Sequence, residues 1–324
     1  MPSTRSAPPA VFVWLGLGIV YVIWGSTYLA IRVAVETMPP LLTSGLRFCA
    51  AGLVLATIIA ARSGPSRLLV GRRELVSATL VGAALVLGGN GLVMIAERDV
   101  ASGLAALIIG SVPLWVVLLR TILGDRVGRG TLAGVAVGFV GVAVLVVPSG
   151  GEGTAQLVGA VLLVIASASW ASGSFASARL PLPRDPFVST AYQMASGGIL
   201  VTIAGLALGE TNGLDPAHFS SESLLAVGYL LVFGSLIAFT AYTWLLQNAP
   251  ISLVATYAYV NPVVAVFLGW LILGEPVTAI LAIGAALIVV AVAFVIRQEY
   301  RPDARATAAE PAPVPVAVAV DPEG

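Results

Sequence analysis

Residues 252–275 read SLVATYAYVNPVVAVFLGWLILGE, and residues 102–125 read SGLAALIIGSVPLWVVLLRTILGD. The two stretches share a layout. Ser102-Gly103-Leu104, Pro113 and Leu123-Gly124-Asp125 fall on Ile251-Ser252-Leu253, Pro262 and Leu273-Gly274-Glu275, at an offset of 149 through the prolines and 150 from the Gly-acid pair onward. The doubling extends outward from here. At an offset of 146, Trp24-Gly25-Ser26 falls on Trp170-Ala171-Ser172, Pro40 on Pro186 and Gly52 on Gly198.

The composition names the solvent. With 58% hydrophobic and 10% charged residues over 324 positions, and a mean hydropathy of +1.00, the chain is too apolar for a water-soluble domain and belongs in a bilayer. A helix crosses the hydrocarbon core in about 20 apolar residues. Ten stretches qualify, near 11–34, 41–61, 75–96, 100–122, 131–148, 157–178, 187–208, 223–246, 251–273 and 277–296. Continuous Leu/Val/Ala runs select helices over barrel strands, which would alternate apolar and polar residues. The first run is too long and aromatic for a cleaved signal and reads as a retained span. Five spans per unit is an odd number, so the second copy enters the membrane upside down. The expected fold is all-α, a polytopic membrane protein of ten transmembrane helices in two inverted-topology five-helix repeats, 11–148 and 157–297, joined by 149–156. Residues 1–10 form a short leading segment, and the proline-rich residues 298–324 read as a disordered tail.

Arginine placement orients the chain. With a cytoplasmic N-terminus, 13 of the 16 arginines fall in inner segments, as the positive-inside rule requires, and both termini are cytoplasmic. The loop after span two carries four arginines, Arg62, Arg67, Arg72 and Arg73. Its counterpart after span seven has none and carries Glu210, Asp215 and Glu222.

Several function classes recede. Sixteen basic against sixteen acidic residues give no electrostatic case for nucleic acid. All the basic residues are arginine, which removes a Walker A loop, a Schiff base and a lysine general base. One cysteine, Cys49, and one histidine, His218, make no internal disulfide, iron–sulfur cluster or His-rich metal site. No cofactor or metal is expected.

Polar and aromatic residues within the spans are the candidates for a binding site. Tyr21, Trp24, Tyr28 and Arg32 share one helical face, and Ser167, Trp170 and Ser174 repeat that stripe in the second copy. Trp24 and Trp170 sit mid-span, where interfacial anchoring does not apply; cavity lining and helix packing are the alternatives. Tyr257 and Asn261 lie four apart, just before Pro262, which removes a hydrogen bond to Ala258 as Pro113 does to Ile109. A passive kink competes with a functional bend beside a cargo site. Asn90 lies in a Gly-Gly-Asn-Gly run, as a cargo contact or as interhelical glue. Arg47 is the one ionisable residue clearly inside a span. Snorkelling or pairing to Glu36 competes with a role in binding or gating, and its counterpart in the second copy is the neutral Gln193. Glu97 reads as a solvated residue near the outer surface. Gly130, Gly134, Gly138 and Gly141 have the spacing of an internal helix seam.

The motifs IWGSTYLAIR, PPLLTSGLRF, GNGLVMIAE, SASWASGSF and TYAYVNPVVAVFLGWLILGE, in that order, resemble the EamA family of the drug/metabolite transporter superfamily, and within it the YedA-type bacterial inner-membrane exporters. The resemblance spans roughly residues 12 to 297. It implies a ten-helix carrier in the cytoplasmic membrane that works by alternating access without a cofactor and exports small metabolites, amino acids or drugs. Its partners are then a small-molecule substrate and the lipid bilayer, as a monomer or a dimer. The expected substrate-binding residues are Trp24, Tyr28, Asn90, Trp170, Ser174, Tyr257 and Asn261, with Arg47, Pro113 and Pro262 in gating or electrostatic roles. An uptake carrier of the same fold is the alternative. A membrane-embedded enzyme would need convergent nucleophiles, paired carboxylates or metal ligands, and a channel a ring of like charges or a carbonyl-lined filter; none is visible.

Overall fold

A computed structural model gives the structure of residues 9–125, 127–146 and 154–299. The leading segment to residue 8, Arg126, most of the loop joining the repeats and the tail from residue 300 lie outside the described residues, and with them Arg5, Arg301 and Arg305. The described residues form helices and turns, with no strand among them. Among the described residues nine helices are long and apolar enough to cross a bilayer: α1 (Ala10–Ala34), α2 (Pro40–Ser63), α3 (Arg72–Ala96), α4 (Ser102–Ile122), α5 (Arg129–Val146), α6 (Thr154–Ser177), α7 (Pro186–Ala207), α8 (Ser221–Asn248) and α10 (Ala279–Gln298). The remaining apolar helix, α9 (Tyr257–Leu273), is shorter.

Local sequence explains where these helices start and stop. Pro40 and Pro186, related by the repeat, open α2 and α7, where a missing N–H costs nothing and φ is already helical. Gly124 and Gly274 end α4 and α9 with φ of 91° and 66°, the left-handed turn that releases a helix at little cost only for glycine. The turn re-aims the acidic residue that follows it, and the two copies use it differently: Asp125 pairs with Arg120 of its own helix at 3.1 Å. After Gly274, Glu275 accepts from Ser102 N (2.8 Å), Ser102 Oγ (2.9 Å) and Gly103 N (3.2 Å), closing the N-terminus of α4. Glu210, after Gly209 at the end of α7, likewise accepts from Leu41 N and Leu42 N at the start of α2. Each carboxylate meets unpaired amides and the positive end of a helix dipole.

The two halves pack reciprocally. A Cβ built on Gly52 of α2 would lie 2.7 Å from Ala195 N of α7, and one on Gly198 of α7 would lie 2.6 Å from Cys49 N of α2. Subtracting the repeat offset of 146 turns Gly198 into Gly52 and Ala195 into Cys49, so the same contact occurs twice about a pseudo-twofold axis. Small residues are what allow such an approach where lipid supplies no hydrophobic drive between helices. In the same way Gly134, Gly138 and Gly141 of α5 sit under Phe294, Leu114, Leu287 and Ile288, and so form the internal seam expected.

The helices that carry the two prolines are interrupted unequally. In α4 the break falls at Gly110 and Ser111, so Pro113 lies in the first turn of the half that follows. Ser111 Oγ and Ser167 Oγ donate to the Ile108 carbonyl there, at 2.7 and 3.2 Å. The ninth span starts as one separate turn, Ile251–Val254, and resumes at Tyr257 with Pro262 inside the helix. The matched pair of mid-helix proline kinks expected from sequence is therefore one helix break and one internal proline.

Candidate functional site

Two segments of π-helix carry the centre of the molecule, Ala83–Gly91 within α3 and Leu230–Phe239 within α8. They occupy equivalent places in the two repeats. A π-turn leaves backbone groups imperfectly paired and often marks a functional site, and each of these is met by a tryptophan from the other repeat. Trp24 Nε1 of the first repeat donates to the Gly234 carbonyl at 3.3 Å. Trp170 of the second covers Gly89, where a built Cβ would lie 2.5 Å from the indole. Only glycine leaves room for that ring.

Beside the tryptophans lies a cavity of about 60 Å³, room for no more than a few waters. Trp24, Tyr28, Asn90, Trp170 and Tyr257 line it, together with Thr27, Ile31, Ile109 and other apolar residues. Trp24 makes edge contacts with Trp170 (centroids 5.2 Å apart) and Tyr257 (5.6 Å) and lies 4.8 Å from Tyr242. Tyr242 locks the second layer. Its hydroxyl accepts from Trp170 Nε1 (3.1 Å) and shares a 2.6 Å bond with Ser174 Oγ, which itself donates to the Trp170 carbonyl. Tyr257 is the contrast, since its buried hydroxyl faces Tyr242 and Trp170 without completing a well-formed hydrogen bond.

Five of the seven residues expected to bind substrate thus share one wall. Ser174 stands behind it, positioning Tyr242. Asn261 also stands outside it: with its amide nitrogen facing them, it reaches the carbonyls of Tyr21 (3.1 Å) and Tyr257 (3.2 Å), tying α1 to α9 beside Pro262. Pro262 and Leu107 line an apolar groove away from the cavity. The stripe on α1 resolves into distinct duties. Tyr21 bonds Thr256 at the break before α9, at 2.5 Å, and Arg32 donates to the Glu97 and Arg98 carbonyls where α3 ends, at 2.5 and 2.6 Å.

The electrostatics depart from expectation in two places. Arg47 does not snorkel and does not pair with Glu36. It is 5% exposed, donates from one terminal nitrogen to Asn90 Oδ1 at 3.2 Å, and lines a small space with Trp24, Thr27, Ile31, Phe48 and Asn90 that adjoins the main cavity. Glu97 is not solvated. It is 0% exposed, with neither carboxylate oxygen hydrogen-bonded. Burial first, then the nearby Glu275, push its carboxyl well above the usual carboxylate range, with Arg32 opposing.

Tyr242 and the π-segments escaped the sequence reading, in which Glu97 reads as solvated although it is buried. Tyr242 has its partners on other helices, so no spacing along α8 marks it. A π-turn has no compositional signature, and a glutamate closing a span looks the same whether the loop over it is open or packed.

A sequence model described as the EamA-like transporter family matches residues 12–147 and 157–297. An uncharacterized inner membrane transporter of Escherichia coli strain K12, YedA, is 40% identical over 281 residues, 86% of this chain and 89% of that protein. A probable amino-acid metabolite efflux pump of Salmonella typhimurium is 26% identical over 282 residues, covering 83% of this chain and 90% of its own length. One solved crystal structure, 23% identical, superposes with a TM-score of 0.61 over 87% of this chain and 95% of its own, a likeness of fold.

Proposed function

The chain belongs to the EamA-like transporter family, and from that premise we propose that it exports small organic molecules across a bacterial cytoplasmic membrane by alternating access. The observation that carries this reading is the aromatic cavity at the junction of the repeats, where Trp24 and Trp170 each rest on the other half's π-segment. A space between two pseudo-symmetric halves is a site that rocking could open to one side and then the other. At about 60 Å³ it is too small for an organic cargo, so the conformation described is a closed one that must widen to load. Trp24, Tyr28, Asn90, Trp170 and Tyr257 touch cargo; Ser174 and Asn261 hold the wall; Arg47 adds charge; the break before Pro113 and the internal Pro262 let α4 and α9 flex. The relative described as an efflux pump supports the outward direction, and the arginine bias supports cytoplasmic termini.

Counterflow in proteoliposomes tests the mechanism. Vesicles preloaded with an unlabelled amino-acid and drug panel should transiently accumulate the labelled form of a transported compound above equilibrium, and saturably. Flux linear in concentration, with no overshoot for any compound, would indicate a channel.

A further inference from the structure

Among the described residues, Arg47 is a cation with no counter-ion. An arginine keeps its charge in a protein, and an apolar interior tolerates that charge only when it is paired or opens to water. Among the described residues, none places a carboxylate within ion-pair distance of this guanidinium. Its neighbours are the Asn90 amide oxygen at 3.2 Å and the face of Phe48, 4.4 Å from Cζ to the ring centroid. Its Nε, fully buried, donates to nothing. The fold does not require the charge, because the inverted copy places Gln193 at the same point, with its amide bonded to Ser189 of its own helix. The charge also faces the proposed transport route: Trp24, Thr27, Ile31 and Asn90 line both the Arg47 space and the aromatic cavity.

We propose that Arg47 and Asn90 form a carboxylate-recognition subsite, and that the cargo is a small organic carboxylate whose apolar part lies among Trp24, Trp170 and Tyr257. This rests on the transport reading above and narrows its substrate class. A guanidinium offers a planar fork of donors that matches a carboxylate, and Nε is a donor without a partner. Asn90, already accepting from Arg47 through Oδ1, keeps its amide N–H groups for the second carboxylate oxygen. When cargo enters, the buried cation gains its counter-ion. When it leaves, the cation is again unpaired, a cost that opposes release until water reaches the guanidinium.

Trp24 and Trp170 supply the readout, since cargo among them alters their fluorescence. The full chain in detergent is titrated with phenylalanine, 3-phenylpropionate, phenethylamine and 3-phenylpropionamide, and with the corresponding acid, amine and amide sets built on isobutyl and methyl side chains. The acids should change the fluorescence saturably, with the amines and amides at least about tenfold weaker, the range of one charge-assisted hydrogen bond. Arg47→Gln should remove that preference. Asn90→Asp gives Arg47 an internal counter-ion, so it should keep or raise thermal stability while weakening the acids by a similar factor, which guards against misfolding of the first variant. Amines or amides binding as tightly as acids, or acids binding unchanged in Asn90→Asp, would overturn the carboxylate assignment while leaving a cargo cavity in place. No saturable change with any compound would count against the cavity itself, and the carboxylate assignment with it.

Discussion

Tyr257 carries a buried hydroxyl that faces Tyr242 and Trp170 without completing a well-formed hydrogen bond, and a buried hydroxyl left unbonded costs about 1–3 kcal/mol. Tyr257→Phe deletes the oxygen and keeps the ring against Trp24 and Tyr242, so thermal stability should hold or rise. If the hydroxyl meets cargo, affinity should fall by roughly tenfold. A tyrosine kept for packing alone would give the same stability and unchanged affinity. Glu97 presents the parallel case for charge. Its folded-state carboxyl is raised, so the folded state binds the proton more tightly than the unfolded chain. Its contribution to stability is then complete below the unfolded value of about 4.3 and is lost as pH rises toward the folded value. Glu97→Gln should therefore raise the Tm near neutral pH by roughly a few degrees and flatten its decline above pH 4, measured by thermal melts in detergent. An unchanged pH profile would mean the carboxylate finds water or a partner. The spacing on α1 made Trp24 and Tyr28 legible from sequence, because one helical face must confront one neighbour. The fate of Glu97 depends on Glu275 in the loop after α9 and on Arg32 of α1, and that of Asn261 on the Tyr21 carbonyl of α1, and no local pattern encodes that.

At the scale of the element, the seam between α2 and α7 is where the fold tolerates least. Gly52 and Gly198 each oppose backbone atoms of the other helix at a built-Cβ distance under 3.0 Å, and backbone cannot swing aside as a side-chain tip can. Gly52→Leu or Gly198→Leu should each cost about 1–3 kcal/mol or more through overpacking, seen as a lower Tm and a poorer yield of monodisperse protein. Gly18→Leu is the control, since a Cβ there meets nothing within 4 Å. Equal losses at all three positions would show that helix propensity and not the seam decides. These glycines were visible in the sequence as a repeat, and so were Pro40 and Pro186 at helix starts. The π-segments were not, because one extra residue per turn leaves apolar periodicity nearly unchanged over so short a stretch. The breaks in α4 and α9 were anticipated in kind, from proline chemistry, but misplaced: Gly110 and Thr256 give way before the prolines do.

The whole molecule was the most legible level, since a bilayer admits few solutions and a doubled five-span unit dictates inversion. What sequence could not weigh is how the two rims between the halves differ. On the side where α2 and α4 begin, Glu210 and Glu275 clasp helix N-termini across the repeats. On the other side the cross-repeat ties include the partly exposed pair Arg67–Asp185, the longer Arg179–Asp125 contact and the bond from Tyr192 to the Leu68 carbonyl. Exposed ion pairs hold weakly, whereas carboxylates on helix N-termini hold more firmly. The second rim, cytoplasmic in the proposed orientation, should therefore part more readily when cargo is absent. A single cysteine reports this: Cys49→Ser clears the background, and Tyr257→Cys places a thiol in the cavity wall. Impermeant thiol reagents should label it faster from the cytoplasmic face, with a transported compound slowing the reaction. Glu275→Gln, which weakens the opposite clasp, should shift labelling toward the outer face. Reaction from one face only, unmoved by cargo or by Glu275→Gln, would mean the halves do not rock about this site and would leave Tyr257 a packing residue.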